Sequence, residues 1–253
     1  MRLSKKRFFE ILLGNKAVFI AIIMALVIGS IKPVFFTSAN MFNVLRQVCS
    51  NVVLAMGFTF VLGLGEIDLS VGAALGLNGV IMAKLMVEGG WPIWAAILAG
   101  ILSGVISGVV NSLVISALSI PPFIVTLATM SVFRGVTYVI TKMAPISSLP
   151  ESFVALGQGY VGIFPVPVLI MVAVIIITIF IAHFTTFGRH VIAVGGNGAA
   201  ANVCGIDTKK VRMGVFIVTG VCGSIAAIIT TARAASAQVA AGMNAEQDVI
   251  AAV

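Results

Sequence analysis

The chain has 253 residues, of which 60% are hydrophobic and only 9% charged, with 15 Lys and Arg against 8 Asp and Glu. An average globular chain carries about 25% charged residues, so this composition excludes ordinary cytosolic, disordered, collagenous and disulfide-rich secreted classes. Apolar runs continuous for about 20 residues predict an all-α, polytopic transmembrane helical bundle, because barrel strands would alternate polar and apolar positions. The +7 net charge does not point to nucleic acid: the basic residues flank apolar spans, and no exposed stripe with stacking aromatics is visible.

The first segment carries Arg2, Lys5, Lys6, Arg7 and Lys16 ahead of an apolar run. A signal peptide would show a small-residue cleavage site. Here Lys32-Pro33-Val34-Phe35-Phe36 prolongs the run, so a retained first span over 17–36 is predicted. Phe8, Phe9, Ile11, Leu12 and Leu13 beside the basic residues suit a short interfacial helix. Six further spans are predicted at 48–64, 70–87, 91–114, 123–140, 163–183 and 213–232, seven in all. They are separated by Gly65-Glu66-Ile67-Asp68, Gly89-Gly90-Trp91-Pro92, Ser119-Ile120-Pro121-Pro122 and the polar stretch 141–160.

Charge sets an expected orientation. With the N-terminus in the cytoplasm, the sixth crossing returns the chain there at 185–212, which holds Arg189, Lys209, Lys210 and Arg212, whereas 141–160 outside holds only Lys142. Segment 185–212 mixes Gly, Ala and Asn, and a short surface helix there would be a connector or a docking element for a soluble partner. Glu66-Ile67-Asp68-Leu69 is echoed by Glu246-Gln247-Asp248-Val249, on the opposite side of the membrane in this topology. Such an echo arises by chance or from an inverted repeat.

No chemistry-bearing motif appears. No lysine follows a glycine, so a Walker A motif cannot be written, and Gly195-Gly196-Asn197-Gly198 lacks its spacing. There is no H-E-x-x-H, no Cys/His cluster and no nucleophile elbow; Cys49, Cys204 and Cys222 lack metal-ligand spacing, and His183 and His190 read as interfacial polar residues. No metal or cofactor is expected, and uphill transport would draw on a partner or an ion gradient. Arg134 falls inside the fifth predicted span, where it costs about 2.5–3.5 kcal/mol to insert; snorkelling, structural pairing and substrate contact all remain open. Asp68, on the cytoplasmic side, is not expected to pair with it. Asn78 and Asn111 either bond across helices or line a polar path. Gly100, Gly104 and Gly108 recur every four residues, a close-packing face.

Three stretches together resemble the permease subunits of ribose-type ABC sugar importers. They are Gly65-Glu66-Ile67-Asp68-Leu69-Ser70-Val71-Gly72; Pro122-Phe123-Ile124-Val125-Thr126-Leu127-Ala128-Thr129-Met130 with Arg134-Gly135; and Phe187-Gly188-Arg189 through Ala193-Val194-Gly195-Gly196-Asn197 to Ala199-Ala200, Val203-Cys204 and Gly205-Ile206. Ala232-Arg233, Ser236-Ala237-Gln238 and Asp248-Val249-Ile250-Ala251-Ala252-Val253 follow in order. The resemblance implies a permease, not an enzyme, in the bacterial cytoplasmic (inner) membrane. Its expected partners are a cytoplasmic ABC ATPase, an extracytoplasmic sugar-binding protein, a second permease subunit and membrane lipid. It further implies that Asp68, Ser70, Asn78, Asn111, Thr126 and Arg134 line or gate the path of a monosaccharide. Arg189, Gly195, Gly196, Asn197, Ala199, Ala200, Gly205 and Ile206 in 185–212 would form the loop that couples to the ATPase. Two departures stand out. Glu66 replaces a commoner Gly, and a family of about ten spans makes 1–253 a single permease domain expected to be C-terminally incomplete. An ion-coupled secondary carrier or a passive channel is the alternative; scarce buried carboxylates count against proton coupling.

Overall fold

The computed structural model describes residues 16–253, so the interfacial helix expected around Phe8–Leu13 lies outside the described residues. The chain divides into two units, one up to Leu45 and one from Arg46 to Val253. In the first, α1 (Lys16–Ile31) ends at Lys32, and a 3-10 turn, Pro33–Phe36, follows. The continuous span expected over 17–36 is therefore broken. Pro33 disfavours helix at the residue before it, and Lys32 is extended (φ −130°, ψ 94°). The Asn40 side-chain amide donates to Phe35 O at 2.8 Å, and α2 (Ser38–Gly63) starts ahead of the expected 48.

The second unit continues through α3 (Val71–Val87), α4 (Ile93–Leu118), α5 (Pro122–Thr141), α6 (Glu151–Gln158), a two-residue hairpin pair, α7 (Val166–Phe184), α8 (Thr186–Val203), α9 (Thr208–Ala234) and α10 (Ala245–Ala252). Each of the seven predicted spans overlaps an apolar helix, the first only as far as Ile31. Five of these (α2, α4, α5, α7, α9) are long and apolar enough to cross a membrane, and α1 and α3 are shorter. The polar stretch 141–160 contains α6, whose Phe153 is fully buried in the main core with Phe58, Val80, Met82 and Ile229.

Helix α9 is the hub. A Cβ on Gly104 of α4 would strike the Gly220 carbonyl, one on Gly220 the Gly104 carbonyl, and one on Gly108 the Phe216 carbonyl. The numbers run in opposite senses, so α4 and α9 are antiparallel with backbones in contact, as the glycine spacing predicts. Gly57 of α2 abuts Thr219 and Cys222 in the same sense. Helix α3 runs parallel to α9, with Gly79 against Thr231. Its first residue, Val71, shares a cavity with Thr219, about 17 Å along α9 from Thr208 at 1.5 Å per residue. Helix α3 therefore begins deep inside the bundle. The outward faces are apolar: Ile106 (60% exposed), Val139 (79%) and Ile176 (63%) stand on α4, α5 and α7, the surface expected to meet lipid.

Candidate functional site

Two interruptions of helix lie inside the second unit, one leading into α3 and the other packed on the first turns of α3. The first spans 64–70. Gly65 turns the chain at φ +77°, a conformation that favours glycine. Asp68 Oδ1 then accepts the Ser70 backbone N–H at 2.8 Å and the Ser70 hydroxyl at 2.6 Å, a local turn that launches α3. Asp68 and Ser70 are 4% and 2% exposed. Asn111 of α4 donates from Nδ2 to Ser70 Oγ at 2.8 Å. The Leu69 N–H donates to Thr126 Oγ1 of α5 at 3.1 Å. Four residues singled out in the sequence are thus brought together from three elements. Asp68, Ser70 and Asn111 border a cavity of about 10 Å³ with Ser107 and Thr219, room for about one water. Asn111 Oδ1 is buried without a partner.

Asn78 stands apart, two turns further along α3. Its Nδ2 donates to Ser224 Oγ at 3.0 Å, and that hydroxyl lies 3.0 Å from both the Gly100 and Gly220 carbonyls. It stitches α3, α9 and α4 together.

The second interruption follows α9. Ala235 (φ 50°) and Asn244 (φ 62°) are left-handed, and between them the chain turns back into the bundle. Gly242, at φ +69°, packs so closely on Gly72 that a Cβ would strike the Gly72 carbonyl. Arg134 donates from Nη1 to the Ala241 carbonyl at 2.8 Å and lies against Gly76. It does not pair with Asp68. The echoed segments were expected on opposite sides of the membrane, yet Glu246 of the second lies beside Gly72, three residues past the first: a Cβ on Gly72 would meet Glu246 Oε2 at 2.5 Å. Re-entry of 235–244 overturns that expectation. Irregular backbone at this depth has its polar groups met by protein or by water in a cavity.

At the Thr208 end, Arg212 Nε donates to Glu66 Oε1 at 2.6 Å and Nη1 to Ser116 Oγ at 3.3 Å. One cation thereby joins 64–70, α9 and α4. Next to it, α8 is kinked: Asn197 leaves helical geometry (φ −159°, ψ 97°), and its Oδ1 accepts the Ala200 N–H at 3.0 Å, capping the second half. A Cβ on Gly195 would strike the Gly63 carbonyl, so α8 touches the start of the first interruption. Arg189, Gly195, Gly196, Asn197, Ala199, Ala200 and Gly205 are exposed and Ile206 is half-buried. Segment 186–203 is thus two helical pieces that meet at Asn197, and the second, 198–203, is the short helix expected there. Asp207 then caps α9, its Oδ1 accepting the Lys209 and Lys210 N–H groups at 3.1 Å. The Lys210 N–H, with its ammonium, holds the carboxyl below the usual range.

Residues 40–253 match the family described as branched-chain amino acid transport system / permease component. The chain belongs to this permease family. It is 38% identical over 246 residues to the ribose import permease protein of Haemophilus influenzae, covering 96% of this chain and 76% of that protein. It is 43% identical over 233 residues to the ribose import permease protein of Bacillus subtilis (91% and 72% covered). The D-allose transport system permease protein of Escherichia coli is 37% identical over 234 residues (92% and 72%). No solved structure matches. The permease is accordingly a multi-pass membrane protein with a transport role.

Several residues at this permease's interruptions escaped sequence reading. Ser224 and Thr219 are single small polar residues in an apolar helix, without periodic signal. Arg212 counted only as an orienting charge, and Glu246 only as half of an echo.

Proposed function

We propose that this chain is the permease subunit of an ATP-driven importer that carries a monosaccharide of the ribose type across the bacterial cytoplasmic membrane. The observation that carries the reading is the packing of 235–244 onto the first turns of α3, the helix that starts from 64–70. Two broken segments, lined by hydroxyls, amides and charged side chains, give a polar solute partners where an unbroken apolar bundle would offer none. Relatives named for ribose and allose support a sugar.

In this reading the N-terminus and the Thr208 end face the cytoplasm, in line with the basic residues of 185–212. An ABC ATPase docks on the exposed surface of α8 and the turn after it through Arg189, Gly195, Gly196, Asn197, Ala199, Ala200, Gly205 and Ile206. An extracytoplasmic binding protein delivers the sugar at the opposite end, and a second permease subunit completes the path. The apolar faces of α4, α5 and α7 meet lipid. Closure of the ATPase pushes α8. The Gly195–Gly63 contact passes that push to 64–70, where Asp68, Ser70, Asn111 and Thr126 hold α3, α4 and α5 in one arrangement. Asn78 and Arg134 lie further along the same path. The Glu66–Arg212 pair closes its cytoplasmic end.

The test is co-expression with an ATPase and a binding protein encoded beside it. The permease should co-purify with the ATPase, and sugar-loaded binding protein should stimulate ATP hydrolysis by the complex. Deleting 199–205 should abolish that stimulation while membrane insertion persists. Unchanged coupling after the deletion would refute docking on α8.

A further inference from the structure

We infer that the cavity between α5 and the start of α10 is the station at which the sugar is held in transit. This assignment rests on the sugar reading above. The cavity, of about 430 Å³, is lined by Arg134, Tyr138, Asn244 and Glu246 among others. Its volume lies within the range of small-molecule sites, about 300–1,000 Å³.

The argument starts from two charges. Arg134 follows the first residue of α5 by about 18 Å of helix, and charged groups at such depth face a cavity or a partner. Its guanidinium lies against Gly76, and the Glu246 carboxylate against Gly72. These glycines are one turn apart on α3, where side-chain positions are separated by about 5–6 Å. Yet the ion pairs among the described residues are Lys84–Glu88, Lys210–Asp207 and Arg212–Glu66. Arg134 and Glu246 border one cavity without joining.

Arg134 spends one N–H on the Ala241 carbonyl, and a guanidinium has five to give. Glu246 is acceptor-only when ionised. A hydroxyl seated between them can accept from the guanidinium and donate to the carboxylate at once. The site is electrically balanced, so it suits a neutral polyol rather than an ion. Tyr138 offers a further hydroxyl beside an apolar ring, and Asn244 an amide. A ring of hydroxyls meets all four groups, whereas the zwitterion of a branched-chain amino acid would use only Arg134 and Glu246.

The experiment uses the permease reconstituted in proteoliposomes with its ATPase and binding protein, with D-ribose, D-allose and D-xylose as probes and L-leucine as competitor. Glu246→Gln keeps the shape and removes the charge. It should lower sugar moved per ATP hydrolysed about tenfold, with binding-protein-stimulated ATPase activity retained. Tyr138→Phe should lower it about threefold. An Asn244→Cys variant should react with a water-soluble thiol reagent, and turnover with ribose-loaded binding protein should slow that reaction about fivefold. Wild-type sugar transport with unchanged sugar-to-ATP ratios in both variants and no protection of the cysteine would overturn the station. Protection by leucine but not by sugars would overturn it in favour of an amino acid. Failure of the wild-type complex to take up any of the three sugars would instead overturn the sugar reading, and the station with it.

Discussion

Replacing Glu66 with Leu severs the pair that joins 64–70 to α9 and α4. The Glu66 and Arg212 side chains are 9% and 23% exposed and their contact is 2.6 Å, so solvent screens it weakly. A hydrogen bond to a charged group contributes about 1.5–3 kcal/mol, and breaking a fully buried pair costs about 3–5 kcal/mol. Glu66→Leu should fall at the lower end, about 2–3 kcal/mol. Arg212 keeps its Ser116 contact, and Glu66 Oε2 has no partner to lose. At about 2–4 °C per kcal/mol for chains of this size, the melting temperature in detergent should fall by about 4–12 °C. Glu66→Gln, whose amide oxygen still accepts from Arg212, should lose about half as much. Arg212→Leu alone should cost a similar amount, and the double variant should cost clearly less than the sum of the singles. Strict additivity of the two singles would refute the pairing and with it the three-element tie.

Three further outcomes follow from the same geometry. Gly104→Leu places a side chain against the Gly220 carbonyl; overpacking costs about 1–3 kcal/mol, and detergent-solubilised protein should melt earlier, whereas Gly135→Leu, with open space around it, should leave melting unchanged. Asn197→Ala removes the cap on the second half of α8, a loss of about 0.5–2 kcal/mol, and should reduce ATPase stimulation by the binding protein more than it reduces basal hydrolysis. The Asp207 carboxyl sits below its ordinary range in the folded chain, so its capping stabilises folding above the ordinary carboxylate pKa of about 3.9 and that stabilisation is lost as pH falls through the lower folded value. Wild type should therefore lose its stability advantage over Asp207→Ala on acidification through that window, read by parallel melts; a constant difference would contradict the cap.

The spans were legible because lipid-facing faces such as Ile106 and Val139 make continuous apolar runs. A close-packing face on α4 was legible from Gly100, Gly104 and Gly108, since only small residues let backbones touch, but its partners, α9 at Gly104 and Gly108 and Met82 of α3 at Gly100, were not. Asn111 bonding across helices was one of two open readings, and its bond to Ser70 gives it that role at the head of α3. The start of α2 was obscured because Ser38, Asn40, Asn43, Arg46 and Gln47 dilute the hydropathy of a helix that forms nonetheless. The re-entry of 235–244 left no trace, because Ala, Gly and Ser there are equally at home in a surface loop. The Glu66–Arg212 pair spans 146 positions, a distance over which sequence pattern carries no pairing information.

The central claim, ATP-driven import of a neutral sugar, is tested most directly by uptake of radiolabelled D-ribose, D-allose and D-xylose into proteoliposomes holding permease, ATPase and binding protein. Uptake of at least one sugar should require ATP and survive ionophores that collapse proton and sodium gradients. Uptake that continues without ATP and is abolished by an ionophore would contradict the account.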